Sequence, residues 1–420
     1  MRSLLLTLCL VMAAVSAFAQ EPTQYRLERV VVEGARIDED IIRAETRLTE
    51  EQSYTEEDFR QGLYRVRRLP FVADAAYRIE PGVTAGGTTL VIRILAETPI
   101  FYELNGGALQ SSDDDSDTDT FASALLGGRW LMDNLGVLEG AVQKAKDEDG
   151  FTAGVAYRAY DIYGTGGFAS IALAQRFKAE PLLYDPAAVL SLGYPLTQKQ
   201  SLTASYSRAK THLPVSFDVE GDDDDEDVDD DEADDDNVTL TARDRFEFAE
   251  LRWWYETIDD PIFTSRGVQL SAGPRWSTTE HVSEVYDAND EVEDDDVIPT
   301  ETATSSLGFA LDAAAYKPFT TRNSVFLRLG GDYAKTDEAS DVQFFNGAAR
   351  IGLTHNLHAF SDTTLKPFKA QFEIGAGYRG SIFSPAVGDE IRDTSPFAEA
   401  AFVMRHRWGK IRLSAFYDAD

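Results

Sequence analysis

The sequence predicts a small α+β domain followed by an antiparallel transmembrane β-barrel. Three observations predict it. From about Pro99 onward the chain reads as short segments in which apolar and polar side chains alternate. The connections between these segments alternate between tight turns and long acidic loops. No stretch beyond the first twenty residues has the roughly 18 apolar residues of a membrane helix. A chain that enters a bilayer without such helices must close a barrel, because only helices and closed barrels pair every backbone N–H and C=O in lipid.

The stretch from Lys366 to Gly380, KPFKAQFEIGAGYRG, shows the alternation most plainly. Phe368, Ala370, Phe372, Ile374, Ala376 and Tyr378 fall on one face of a strand. Lys369, Gln371, Glu373, Gly375, Gly377 and Arg379 fall on the other. Successive strand side chains point to opposite faces, so one side is greasy and the other charged. In a barrel the greasy side meets lipid and the charged side lines a wet lumen.

The chain opens MRSLLLTLCLVMAAVSAFAQ. Arg2, an apolar core from Leu4 to Val15 and Ala17-Phe18-Ala19 make a secretory signal peptide with its cleavage site. This divides the chain into a signal peptide over 1–19, an α+β domain over 20–98 and a barrel over 99–420. Cys9 is the sole cysteine, so the mature chain holds itself together without disulfides. The net charge of −34 argues against nucleic acid as a partner, since phosphate binding needs clustered Lys and Arg.

Within the α+β domain, Arg26 to Glu33 is a strand ended by Gly34. Asp38 or Asp40 is placed to cap a helix through Leu48. Thr55, with Asp58 three residues on, opens a second helix whose stripe is Phe59, Leu63, Val66 and Leu69. Pro70 stops it, and strands follow over Val72–Ile79 and Thr88–Leu95.

The barrel part contains fifteen candidate strands: 100–110, 118–130, 135–146, 150–163, 166–178, 184–194, 200–211, 238–257, 266–277, 303–318, 323–335, 341–359, 366–380, 396–407 and 410–418. Single-chain bacterial barrels almost always have an even number. The count therefore predicts about sixteen, with a closing strand missing beyond Asp420 and the sequence C-terminally truncated.

The order VVVEG, LTEEQSYTEEDF, LYRVRRLPFVADA and LVIRILAETP resembles a single POTRA domain across nearly all of 20–98. The segment Tyr255 to Pro274, with Pro261, Arg266 and Gly267, resembles the mid-barrel turn of the BamA/TamA assembly-factor superfamily. That superfamily carries a lumen-inserted loop motif, and Tyr378-Arg379-Gly380 is the nearest match; Arg350-Ile351-Gly352 is a weaker one. Tyr378 departs from the motif's aliphatic, and no aromatic follows Gly380. A structural alternative places Arg379 in the lumen, paired with Glu399 on the next strand.

The resemblance implies a non-enzymatic factor of the bacterial outer membrane, with its POTRA domain in the periplasm. It would insert or translocate unfolded client proteins, receiving them on a sheet edge and opening between its first and last strands. The implied partners are these clients, outer-membrane lipids or lipopolysaccharide, and periplasmic or lipoprotein accessory subunits. The alternatives are a passive channel or structural barrel, and a secretion transporter for one dedicated partner.

No G-x-S-x-G, P-loop or H-E-x-x-H occurs. His355 and His358 are three apart, which on a strand puts them on opposite faces and unable to share a metal. The tract Gly221 to Asp236 lacks the glycine and ligand spacing of an EF-hand loop and reads as a solvated acidic loop. No catalytic residue, metal site or cofactor is expected.

Overall fold

The computed structural model describes residues 23–34, 39–111, 119–132, 136–146, 150–177, 184–216, 238–287, 300–336, 342–384 and 391–418. The signal peptide, Asp38 and the tract Gly221 to Asp236 lie outside the described residues.

The first unit comprises β1 (Gln24–Glu33), α1 (Glu39–Thr46), β2 (Ser53–Thr55), α2 (Glu56–Arg68), β3 (Val72–Pro81) and β4 (Gly87–Ala96). Its sheet runs β2-β1-β4-β3, with β1 and β4 parallel and the other pairs antiparallel. Three residues are too few to display alternation, so β2 was not legible in advance. Asp40 lies inside the first turn of α1 and does not cap it, and the helix ends at Thr46 rather than Leu48.

The expected cap of α2 is present. The Thr55 amide donates to the Asp58 carboxylate at 2.9 Å, and the Asp58 amide donates to the Thr55 hydroxyl at 3.3 Å. A cap of this kind is worth about 1 kcal/mol. Phe59, Leu63 and Val66 are almost wholly buried, each contributing about 1.5–3 kcal/mol. This core does not stop at the domain boundary. It continues into Val137 and Tyr160 of the barrel, where the Phe71 and Tyr160 rings meet edge to face at 6.1 Å.

The second unit is a closed barrel. Its strands are β5 (Ile100–Ser111), β6 (Asp119–Met132), β7 (Gly136–Ala145), β8 (Phe151–Ala159), β9 (Phe168–Phe177), β10 (Tyr184–Pro195), β11 (Gln200–Ser216) and β12 (Val238–Glu256). They continue as β13 (Gly267–Asp287), β14 (Thr300–Pro318), β15 (Asn323–Thr336), β16 (Gln343–Asn356), β17 (Phe368–Ser384), β18 (Ile391–His406) and β19 (Gly409–Asp418).

Consecutive strands pair antiparallel, and β19 closes onto β5 in parallel, from Gly409 opposite Tyr102 to Asp418 opposite Ser111. The parallel junction follows from counting. Strands that alternate up and down leave the first and last of an odd set pointing the same way. The described strands number fifteen against the expected sixteen or so, and these fifteen close among themselves.

The alternation in β17 has the expected sense. Phe372, Ile374 and Tyr378 are exposed on the outer wall, while Gln371 and Glu373 are buried on the inner one. The first unit sits across the end of the barrel that carries the tight turns, and its last helical turn faces them.

An arginine facing hydrocarbon near the middle of such a wall costs about 2–4 kcal/mol. Ile374→Arg should lower barrel stability by that amount, measured as the urea midpoint of the heat-modifiable band in lipid vesicles.

Candidate functional site

Three connected features make up the site: a latch at the capped mouth, a charged lattice on the inner wall, and the parallel seam.

The latch starts from α2. Its last turn carries Arg65, Arg67 and Arg68, cations placed where the helix dipole favours them. Arg67 donates to the Asp259 carbonyl at 2.9 Å, to Asp362 at 3.2 Å and to the Ala75 carbonyl at 3.0 Å. Arg68 reaches Glu256 at 2.6 Å. Arg65 binds the backbone carbonyl and side chain of Gln198. Lys369, from the inner face of β17, bridges Asp74 and Asp260 at 2.7 Å each.

The turn motif singled out in the sequence forms this surface. Asp259 and Asp260 fold the turn by accepting from the amides of Ser265 and Phe263, both at 2.9 Å. Pro261 follows them and lines a cavity of about 270 Å³ at the foot of the seam. Arg266 donates to Asp362 at 2.7 Å. Gly267 has φ +103°, and a Cβ there would fall 2.2 Å from the Thr257 carbonyl oxygen, so the turn requires glycine.

The two adjacent aspartates shift in opposite directions. Burial raises the Asp259 carboxyl. At Asp260 burial also acts upward, but Lys369 and Arg67 outweigh it and hold the carboxyl well below the usual range.

The latch also covers a sheet edge. The Tyr77 amide on β3 donates to the Asp362 carbonyl at 2.8 Å, and the Val72 carbonyl accepts from Arg405 at 2.8 Å. The long outer edge of the small sheet is thereby occupied by the barrel, leaving the short β2 as the other edge.

On the inner wall, Glu373 accepts both guanidinium nitrogens of Arg328 at 2.8 Å and one of Arg350 at 2.5 Å. Arg350 continues to Glu399 at 2.7 Å, and Glu399 to Arg412 at 3.3 Å. Phe326 lies beneath this lattice, 1% exposed, with the Arg328 and Arg350 guanidiniums 4.7 and 5.1 Å from its ring centre. Gly352 and Gly375 leave room for the ring; a Cβ on Gly352 would stand 2.5 Å from it.

The proposed pairing of Arg379 with Glu399 is corrected by this geometry. Glu399 stands opposite Gly375, whereas Arg379 stands opposite Ser395. Arg379 donates to the Ser395 hydroxyl at 3.1 Å and pairs with Asp418. Tyr378 points outward and is exposed, and Gly380 pairs with Thr394 within the ladder, so this triplet is part of a strand. Arg350, of the weaker candidate, is the one at the centre of the lattice. The sequence signal for that centre was the pair of glycines at inward positions of neighbouring strands, which sequence reading passed over.

At the seam, Glu97 in the connector between the two units pairs with Arg129 on β6 and with Arg405 on β18. These strands flank β5 and β19, so one carboxylate spans the junction. The connector also clips onto the β18–β19 turn, with the Thr98 amide donating to the Arg407 carbonyl at 3.1 Å, and the Tyr102 amide of β5 donates to the Trp408 carbonyl at 3.0 Å.

The fold and site define a β-barrel of the outer-membrane type whose mouth is capped by its own α+β domain. Among solved structures the chain is similar to CdiB from Acinetobacter baumannii, with a TM-score of 0.46 and 12% identity over 91% of this chain and 60% of that one. It is also similar to BamA from Haemophilus ducreyi lacking POTRA domains 1–3, at 0.41 and 11% over 94% and 81%. A third is CdiB from Escherichia coli, at 0.44 and 11% over 91% and 70%. The chain spans about three-fifths of the length of the Acinetobacter structure. No family model matches the sequence, and a search of curated proteins finds no match.

The depressed Asp260 carboxyl gives the latch one contribution whose pH dependence is fixed in sign. A carboxyl whose folded pKa is lowered contributes fully above its unfolded value of about 3.9 and is lost as pH falls through the folded value. The contribution of Asp260 to domain docking, taken as the difference between the parent and Asp260→Asn with a fluorophore pair across the mouth, should stay flat from about pH 8 to about pH 5. Asp260→Asn should weaken docking throughout that range.

Proposed function

We propose that the protein is a non-enzymatic factor of the bacterial outer membrane that inserts or translocates client chains. The observation that carries this reading is the β5–β19 seam. Parallel pairing is slightly less stable per residue than antiparallel pairing, and this junction joins the first and last strands of the wall with no turn between them. The seam is therefore the junction of the wall suited to part. Glu97, from outside the wall, bridges the strands on either side of it.

In this reading the α+β domain is a periplasmic POTRA domain. A client segment engages its open β2 edge by strand addition. Movement of the domain withdraws Glu97 from Arg129 and Arg405, and the seam parts. The client's apolar face then passes to lipid, whose burial drives insertion without nucleotide. The cavity at the seam's foot gives the entering segment a place to start. The domain-filled mouth favours this gated mechanism over a passive channel. Accessory subunits would bind the face of the domain turned away from the barrel.

The mature chain lacks cysteine, so a seam disulfide can be placed cleanly. Ala108 and Ala415 are register partners across the junction. The Ala108→Cys, Ala415→Cys variant should lose client insertion when oxidised and regain it on reduction, scored by outer-membrane proteomics after depletion of the native protein. Full insertion by the oxidised form would end the lateral-opening reading. Unchanged barrel-protein levels on depletion alone would end the assembly role.

Glu97→Gln removes the charge that spans the seam. It should destabilise the junction by about 1.5–3 kcal/mol, seen as faster thiol labelling of a single Ala415→Cys.

A further inference from the structure

The outer wall over β8 to β11 is not a smooth apolar cylinder. Two open grooves lie end to end along these strands. The one nearer the tight turns, about 500 Å³, is floored by Ala159, Ala169 and Ala204 between the ridges of Tyr157, Ile171 and Tyr206. The one nearer the long loops, about 570 Å³, is floored by Ala153 and Ala188. On β14, by contrast, the outward positions are Leu307, Phe309 and Leu311. Small residues at outward positions leave channels in the wall between larger neighbours.

The upper groove ends in charge. Arg208 and Lys210 line it and are both exposed. Two residues apart on one strand, they share the outward face. Arg208 also pairs with Glu247 at 3.3 Å. The groove contains Gln175, whose Nε2 is buried and has no acceptor among the described residues. A buried donor left unmatched is costly, and an anionic or ester oxygen seated in the groove would match it.

We propose that this wall is a binding site for one phosphorylated, multiply acylated glycolipid of the outer leaflet. Its acyl chains lie in the alanine-floored grooves, and its phosphate meets Arg208 and Lys210 with Gln175 beneath. The end assignment follows from the fold: the cations stand toward the long loops, opposite the capping domain, at the height of the outer headgroups. Two grooves end to end on four strands give the chains of one head a long apolar track, and paired cations suit phosphate. The site rests on the membrane-barrel reading but not on client insertion or on seam opening.

The test uses the full mature chain in non-ionic detergent and native mass spectrometry. The probes are diphosphoryl lipid A, its dephosphorylated form and phosphatidylglycerol. The protein should retain one diphosphoryl lipid A at detergent concentrations that strip the other two. Arg208→Ala with Lys210→Ala should weaken retention about thirtyfold. Ala188→Phe, which fills the groove and keeps the cations, should abolish it. Equal retention by these variants, or equal retention of either control lipid, would overturn the site. Heat-modifiable migration checks that each variant keeps its barrel, so loss of this site alone is distinguishable. A mature chain that stayed monodisperse without detergent would remove the membrane reading, and this site with it.

Discussion

Closure is the constraint on which the structure depends. In hydrocarbon no backbone donor or acceptor can be left unpaired at an edge, so the sheet must meet itself. With fifteen strands it can do so only by setting two strands parallel. Fourteen junctions of the wall are then ordinary hairpin pairings, and one is not. The exceptional junction joins strands from opposite ends of the barrel sequence, with no turn to hold them. The connector from the capping domain steadies it, with the Thr98 amide on the β18–β19 turn and the Glu97 carboxylate across the junction.

The charges of the described residues are placed by position rather than by abundance. At the mouth, cations of α2 meet carboxylates and carbonyls of the turns, so the domain and the barrel share one polar layer above one continuous apolar core. On the inner wall, Arg328, Glu373, Arg350, Glu399 and Arg412 are linked in that order by ion pairs that cover five neighbouring strands. Buried ion pairs add little net stability once desolvation is counted, but removing one partner is costly. Their effect is therefore to fix a single arrangement: which turn the domain faces, and which register the strands hold.

Much of this was readable from residues alone. The capping box at Thr55 and Asp58, the stripe of α2 and the two faces of β17 are local patterns, and local sterics decide them. The turn at Pro261 to Gly267 was recognisable as a turn. That its aspartates also anchor Lys369 and receive Arg67 was not, because those partners lie about a hundred residues or more away in sequence. The pairing of Arg379 failed for a related reason. Face was inferred correctly, but height along the wall depends on register, which puts Gly375 rather than Arg379 opposite Glu399.

The sequence by itself determined the kind of protein: periodicity of two, acidic loops alternating with tight turns, and no apolar helix long enough to span. These follow from backbone geometry and solvent preference, which act residue by residue. Only the tertiary structure decided that fifteen strands close, that the junction is parallel, and that the domain seals its own long sheet edge against the mouth. Those outcomes depend on which distant groups meet, and a period along the chain carries no information about the partner across the gap.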